Sequence, residues 1–253
     1  MLYKQIEYIF GECSRSVPFK STVNVRPVRT RVFKEREDLV AFIRAHVPKL
    51  ENGSVLVVTS KIVALAEGRT AKVGDKQRLV KKESSWQLQA KYGKITLKDG
   101  VLMWNAGIDS SNAFGGIVLL PKDSFKTAAA LRRKLLRFYK IKRLGVVVTD
   151  SRIMPLRAGV VGIALGYAGF KGLRDYRGEK DLSGVSFFVT RTDVADSLAT
   201  AAVLEMGEGD ERQPLAIIEG APVEFADRIN KKELLIAFED DMYAPLFSKK
   251  RKR

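Results

Sequence analysis

The chain is poor in the residues most often used for metal and nucleophile chemistry. Of its 253 residues, one is cysteine, Cys13, and one is histidine, His46. A lone cysteine excludes an internal disulfide and a Cys-rich metal site, and it suits a reducing, cytoplasmic compartment. A lone histidine in a helix-like stretch argues against a His-based triad or a histidine zinc site. Neither residue is assigned a role. Long apolar runs are also absent, none approaching the roughly 20 residues that cross a bilayer, so no membrane partner is expected. The N-terminal stretch MLYKQIEYIFGECSRS carries acids and lacks a signal-peptide core. Neither a Walker A pattern nor G-x-G-x-x-G occurs, so a nucleotide site of P-loop or Rossmann type is not expected. Chemistry must lean on carboxylates, hydroxyls, basic side chains and oxygen-ligated metals.

What is present is a charge excess. Forty-five Lys and Arg against 29 Asp and Glu leave a net +16, with 45% hydrophobic residues, the balance of a folded globular chain. Eight bases and no acids lie between Lys126 and Arg143, and five more form the tail Lys249–Arg253. The first run reads as a solvated helix face. A basic surface attracts polyanions, and a nucleoside triphosphate or a polycarboxylate fits as well as nucleic acid. No recognised nucleic-acid motif accompanies it, which places that reading behind the others.

Hydrophobic spacing predicts irregularly alternating elements. Short strands are expected at Ile6–Phe10, Val23–Val28, Ser54–Val58, Val101–Trp104, Ile117–Leu120, Leu144–Val148, Val185–Thr190 and Pro214–Glu219. Asp99-Gly100 reads as a hairpin turn. Helices are expected from Glu35 to Val47, from Ile62 to Glu67, from Phe125 to Tyr139 behind a cap at Asp123 or Ser124, and from Val194 to Met206 behind Asp193. Residues 70–90 read as one or two helices with a loop. Gly159, Gly162, Gly166 and Gly169, spaced three, four and three, predict a glycine face on a helix used for close packing. The fold class is mixed α/β, or α+β with antiparallel hairpins. One domain is expected over residues 1–246, its first twenty a separate extension, with 247–253 a basic tail.

Three predicted strands end in polar clusters: Thr59-Ser60-Lys61, Asn105 to Asn112, and Thr149-Asp150-Ser151. The carboxyl ends of strands are where α/β proteins place ligands. Asp109 and Asp150 are the carboxylates suited to magnesium or manganese, and a metal there would hold nucleotide phosphates. Lys61, Arg29 or Arg157 would offset charge that develops on phosphoryl transfer. The glycines of Met206-Gly207-Glu208-Gly209 permit close backbone approach. The alternative for each aspartate is a helix cap or a turn.

Several stretches in order, VLVVTSKIVALAEGR, NAGIDSSN, LLPKDS, GVVVTDS with PLRAGVVGIALGYAGFKG, and DVADSLATAAVLEMGEG, together resemble the coenzyme F420:gamma-glutamyl ligase family. The forms PVRTRVF, LMWNAGID and TDSRIMPLRAGVVG are similar to its folate-metabolism branch. The resemblance implies a GTP- or ATP-dependent ligase adding L-glutamate to a folate- or deazaflavin-like carboxylate, an α+β fold distinct from P-loop and ATP-grasp folds, and an intertwined homodimer. It implies divalent metal, manganese or magnesium, on Asp109, Asp150 and Ser151, with potassium as a further ion. It places nucleotide on Ser60, Lys61, Asn112 and the loop Met206, Gly207, Glu208 and Gly209, with Arg29-Thr30 as the N-terminal contact. The family's TDT-x-GRP-x-R reads TDSRIMPLR here, keeping Pro155 and Arg157 and losing the internal Gly-Arg. A nucleotide-binding homologue without catalysis is the alternative this departure raises.

Overall fold

The centre of the protein is a pair of strands buried on both faces. In a computed structural model, which describes residues 22–113 and 115–247, Ser54–Thr59 and Leu144–Ile153 lie parallel, Val55 opposite Gly145 and Thr59 opposite Thr149. Successive side chains of a strand point to opposite faces. Leu56, Val58, Val146 and Val148 therefore enter one core cluster, while Val55, Val57 and Val147 enter another. Both faces being covered explains the near-continuous apolar runs.

In chain order the elements are β1 (Asn24–Val28), α1 (Leu39–His46), β2 (Ser54–Thr59) and α2 (Ser60–Ala66). Next come β3 (Thr70–Lys72), α3 (Lys76–Glu83), β4 (Trp86–Ala90), β5 (Gly93–Lys98), β6 (Val101–Trp104) and β7 (Gly116–Val118). The second half holds α4 (Ser124–Tyr139), β8 (Leu144–Ile153), β9 (Val160–Ala168), β10 (Leu173–Asp175), β11 (Arg191–Asp193), α5 (Val194–Met206), β12 (Leu215–Glu219) and the short α6 (Ala244–Phe247). The main sheet runs β1-β12-β2-β8-β9, with β2 and β8 its parallel pair and the other neighbours antiparallel. Helices α1, α2 and α4 cover one face and α5 the other. A three-stranded sheet, β4-β5-β6, and a two-stranded one, β3-β7, stand beside it. The fold is mixed α+β.

Local chemistry accounts for the helix starts. Asp123 accepts from the Lys126 amide at 2.8 Å and Asp193 from the Asp196 amide at 2.9 Å, opening α4 and α5 where the sequence placed them. Asp38, capping Val40 and Ala41, starts α1 at Leu39, later than the predicted Glu35. The Asp99-Gly100 hairpin joins β5 to β6, pairing Lys98 with Val101.

Several expectations are corrected. The glycine-spaced segment is not a helix but strand β9, hairpinned onto β8. Its glycines do serve close packing: a Cβ at Gly162 would come within 2.4 Å of the Ala199 carbonyl oxygen of α5, and one at Gly166 within 2.4 Å of the Phe125 amide of α4. Residues 185–190 form no regular strand; they fold back on residues 176–181 through a bridge between Lys180 and Ser186 and backbone hydrogen bonds such as Gly178 to Phe187 at 2.9 Å and Phe187 to Glu179 at 2.8 Å. Of residues 70–90, only Lys76–Glu83 is α-helical, and Trp86–Ala90 is a strand. On the helix faces that hydrophobic spacing marks for burial, Phe138 of α4 is exposed, and of the alternatives Leu204 and Val203 in α5 Leu204 is exposed while Val203 is half-buried. The expected strand Ile6–Phe10, Cys13 and the tail Lys249–Arg253 lie outside the described residues.

Two polar ties hold the peripheral parts in place. Glu83 accepts from Arg69 and from Lys98, each at 2.9 Å, fastening the β4-β5-β6 sheet to the body. Glu233 accepts from the Tyr167 hydroxyl at 2.5 Å and the Gly172 amide at 2.7 Å, which anchors the segment after β12. Among the described residues no helix is long and apolar enough to cross a membrane.

Candidate active site

Because β2 and β8 are parallel and in register at Thr59 and Thr149, their carboxyl ends lie side by side. The chain leaves β2 directly into α2, so Ser60 and Lys61 are its first two residues. Strand β8 continues as Asp150 and Ser151. The Ser60 hydroxyl donates to Asp150 Oδ1 at 2.8 Å. Burial lifts the Asp150 carboxyl to about 6, and the nearby charge of Asp109 pushes the same way. Hydrogen bonds from Ser60 and the Ser151 amide, with the charge of Lys61, only partly offset this.

Asp109 arrives from a different layer, and its approach is built by an unusual turn. Asn105, Ala106 and Gly107 adopt φ of 48°, 55° and 68° in succession. L-residues rarely enter this left-handed region, so the surroundings must hold them there. The buried Thr96 hydroxyl accepts from the Ala106 amide at 2.7 Å, and Asn105 Oδ1 accepts from the Lys94 amide at 3.0 Å. Beyond the turn, Asp109 and Val118 exchange backbone hydrogen bonds at 3.0 and 2.8 Å. Lys61 Nζ then donates to Asp109 Oδ2 at 2.7 Å, to the Ser111 carbonyl at 2.9 Å and to Ser111 Oγ at 3.1 Å. Burial opposes the charge of Asp109, but the hydrogen bonds from Lys61 and Ser111 outweigh it and lower the carboxyl's pKa. The two aspartates are thus pushed apart, Asp109 firmly ionised and Asp150 poised.

The third wall is the loop after α5. Gly207 ends the helix at φ 78°. Ser151 Oγ donates to Glu208 Oε1 at 2.5 Å, and Asn112 Nδ2 donates to the Gly209 carbonyl at 3.3 Å. Between these parts is a cavity of about 330 Å³. Thr30, Lys61, Asn112, Asp150 and Ser151 line it together with the loop Met206, Gly207, Glu208 and Gly209. Ser60 and Asp109 stand behind Asp150 and Lys61, to which they are hydrogen-bonded.

Two residues named from the sequence are elsewhere. Arg29 is exposed on the strand side of Thr30 and does not line the cavity. Arg157 is exposed at the tip of the β8–β9 hairpin and lines neither this cavity nor a larger one described below. Sequence reasoning passed over Arg31, Asp210, Glu211 and Gln213, all of which face the cavity. Arg31 bonds to Glu37 and Glu211 accepts from the Gly209 amide, so both lie in loops that carry no periodic signal. Ser111, which completes the ring of oxygens around the Lys61 ammonium, was visible as part of NAGIDSSN but received no weight.

The donor set suits a hard cation. Asp109 and Asp150 offer carboxylate oxygens, Ser151 a hydroxyl, and the Lys61 ammonium already gathers three oxygen acceptors on one side of the site. Magnesium is commonly held by one or two carboxylates plus substrate phosphates rather than by an all-protein cage. The cavity also carries Glu208, Asp210 and Glu211. Arg31, Lys61 and Arg212 line it as well, so charges of both signs would face a polyphosphate there.

Comparison with known proteins gives the family. A family profile described as F420-0:gamma-glutamyl ligase matches residues 27–220, a span that contains every site residue above. The chain belongs to the F420-0:gamma-glutamyl ligase family. Coenzyme F420:L-glutamate ligase of Methanocaldococcus jannaschii is 32% identical over 249 residues, covering 88% of this chain and 98% of the relative. The enzyme of the same name from Archaeoglobus fulgidus is 34% identical over 245 residues, covering 87% and 96%. In this family member, then, the profile leaves out residues 221–253, including the segment anchored by Glu233.

Proposed function

We propose that this protein is a nucleotide-dependent amide ligase that adds L-glutamate to a carboxylate of an F420-0-type deazaflavin. The observation that carries the reading is the meeting of Asp109, Asp150 and Lys61 at the ends of two adjacent strands within a chain of this family. The acceptor carboxylate oxygen attacks the γ-phosphorus of GTP or ATP. The bond from γ-phosphorus to the bridging oxygen breaks, the diphosphate leaves, and an acyl phosphate forms. The amine of glutamate then attacks the acyl carbon, the carbon–oxygen bond to phosphate breaks, and an amide, inorganic phosphate and a proton result. Lys61 lies where it offsets negative charge on the transferring phosphoryl group. Asn112 and the Met206–Gly209 loop orient the nucleotide, with Thr30 beside them. Asp109, Asp150 and Ser151 would hold manganese or magnesium, which when bound supplies charge neutralisation to the phosphates.

Incubating the protein with F420-0, glutamate, manganese or magnesium, and either GTP or ATP should yield a glutamyl adduct by mass spectrometry. A folate acceptor belongs in the same panel, because Arg152–Met154 departs from the pattern of the deazaflavin branch. Nucleotide binding with no adduct on any acceptor would overturn the ligase reading in favour of a non-catalytic homologue.

The assembly we propose is a homodimer. Two segments expose apolar side chains that one chain leaves uncovered: Ile153, Leu156 and Val160 on the hairpin, and Leu182, Phe188 and Val189 in the loop after β10. Phe188 is 91% exposed. Contiguous exposed apolar groups commonly mark an interface. Arg157 stands among the hairpin residues and is assigned to that surface. Phe188→Asp should shift the sedimentation of the protein from dimer to monomer, and a wild-type protein that sediments as a monomer would remove the assignment.

A further inference from the structure

Strand β8 has two sheet neighbours along most of its length and only one at its end. Its pairing with β2 stops at Thr59 and Thr149. Beyond that point Asp150, Ser151, Arg152 and Ile153 pair only with Ile163, Gly162, Val161 and Val160 of β9. Within the sheet, the backbone of Asp150 and Ser151 is therefore positioned by β9 alone. Strand β9 is itself the edge of the sheet. An edge strand presents unpaired amides and carbonyls, and its register is weakly specified unless something holds it. This one also carries a bulge, with Val148 opposite Gly166 but Thr149 opposite Ala164, one step before Asp150. Bulges bend a strand and re-aim the side chains beside them.

Two side chains of α5 take hold of that edge. Asp196 Oδ1 accepts from the Ala164 amide at 2.8 Å, and Thr200 Oγ1 donates to the Gly162 carbonyl at 2.8 Å. The two are four residues apart, hence neighbours on one face of the helix. Between the tied residues lies Ile163, the partner of Asp150, whose carbonyl accepts from Thr149 Oγ1 at 2.9 Å. Gly162 is the partner of Ser151, so the Thr200 bond acts directly behind that residue. On the far side of the edge is a second cavity of about 930 Å³, bounded by β4–β6, the starts of α4 and α5, and the segment 231–241. Ile163, Ala164 and Asp196 line it, and Arg152 faces it too. Water in such a space would satisfy the same edge groups without fixing the strand. Side-chain ties to a helix fix it.

Helix α5 reaches the same place a second time. The loop after it carries Glu208, which accepts from the Ser151 hydroxyl at 2.5 Å. One helix of 13 residues thus bears on the backbone behind Ser151 and, through its loop, on the Ser151 side chain.

We propose that Asp196 and Thr200 are positioning residues for the reaction: they lock the bulged edge of β9 and, through it, set where Asp150 and Ser151 sit. This rests on the ligase reading and adds to it two residues outside the smaller cavity, which act through β9 and touch no substrate.

Hydrogen exchange read by mass spectrometry on the whole protein reports this placement without requiring activity. Thr200→Val, which keeps the shape and loses the hydroxyl, and Asp196→Ala should each speed exchange in residues 149–153 and 160–164. Residues 54–58 of β2 should exchange as in the wild type. Titrated with manganese in the presence of GTP, both variants should bind the metal about tenfold more weakly, the lower end of the effect of losing support behind a metal ligand. Thr200→Ser and Asp196→Asn keep the donor and the acceptor and should restore both readings, which loss of helix packing alone would not explain. Ser197→Ala is the control, since it removes a bond to the Asp193 carbonyl in the same helix and leaves β9 untouched. The two ties are cut separately, so a variant that folds poorly leaves the other to decide. Unchanged exchange at 149–153 in both Thr200→Val and Asp196→Ala, unchanged manganese affinity in both, or equal losses in Ser197→Ala would each overturn the proposal. Failure of the wild-type protein to add glutamate to any acceptor would instead overturn the ligase reading, while faster exchange at 149–153 would still mark α5 as the brace of Asp150 and Ser151.

Discussion

Replacing Asp150 with asparagine is expected to lower glutamate-dependent nucleotide turnover by about 100-fold or more, the scale of removing one preorganised electrostatic group, without unfolding the protein. The amide keeps the shape and can still accept from Ser60, whose hydroxyl lies 2.8 Å from Oδ1. What it lacks is the negative charge that a divalent cation and its phosphates require. The same variant should be the more stable one when metal is removed with a chelator. Burial raises the wild-type carboxyl to about 6, so the folded state holds a proton that the unfolded state has released near pH 4. Stability from this group is present below pH 4 and is lost as pH rises through 6. Asparagine removes that loss. A gain of about 1–2 kcal/mol at pH 7 is expected, from about 1.4 kcal/mol per pKa unit reduced by partial solvation. Near-wild-type turnover in a folded Asp150→Asn protein would take Asp150 out of the reaction. A melting temperature that falls at pH 7, and not at pH 4, would contradict the burial argument. Wild-type turnover should decline as pH drops toward 6, because a protonated carboxyl is a poor metal ligand.

The largest structural effect is expected from Gly162→Ala. The added methyl would sit 2.4 Å from the Ala199 carbonyl oxygen and 2.6 Å from its carbon, both backbone atoms of α5 that cannot rotate aside. Either β9 or α5 must move, and the pair forms one of the most closely packed contacts on that face. Overpacking of this kind costs about 3 kcal/mol, the upper part of its usual range. For a chain of this size each kcal/mol lowers the melting temperature by about 2–4 °C, so a fall of about 6–12 °C is expected. Gly74→Ala is the matched control, since nothing lies within 4 Å of its added Cβ and its φ is ordinary. Equal melting temperatures for the two variants would mean that β9 does not lie against α5 as described.

The glycine segment also marks the limit of what spacing can tell. Steps of three, four and three satisfy a helical face, but β9 uses the same residues on two different faces of a strand. A β-bulge is the reason. The ladder shifts register between Val148 and Thr149, which lets Gly166 meet α4 and Gly162 meet α5. Local periodicity carries no information about a bulge, because the extra residue is fixed by the partner strand. The same holds for residues 185–190. Their apolar content resembles a strand, yet they pair only irregularly with residues 176–181, and Phe188 and Val189 are exposed.

The site was legible for a different reason. Two of its polar clusters follow the buried runs of β2 and β8 and the third follows the half-exposed apolar strand β6, and such strand ends are visible in sequence as an abrupt change from apolar to polar. Asp109, Asp150, Ser60 and Lys61 could be named on that ground, and the order of the longer motifs pointed to the family. Arg29 and Arg157 were named only as nearby charges, and charge alone says nothing about direction. Thr30, one residue on from Arg29, is held at the cavity by the hydrogen bond its amide donates to the Arg212 carbonyl at 2.8 Å, a contact across 182 positions of sequence, the difference between 212 and 30.

By itself, then, the sequence determined the helix caps at Asp123 and Asp193, the doubly buried strands β2 and β8, the α+β class and the carboxylates on which the chemistry depends, because each is written in neighbouring residues. The tertiary structure alone decided that β2 and β8 lie parallel and in register, which sets Ser60 against Asp150. It decided that a left-handed turn braced by Thr96 delivers Asp109 to Lys61, and that Arg152 faces a second cavity closed by residues 231–241. Those pairings join positions far apart in the chain, and only the packing of sheet, helices and loop brings them together.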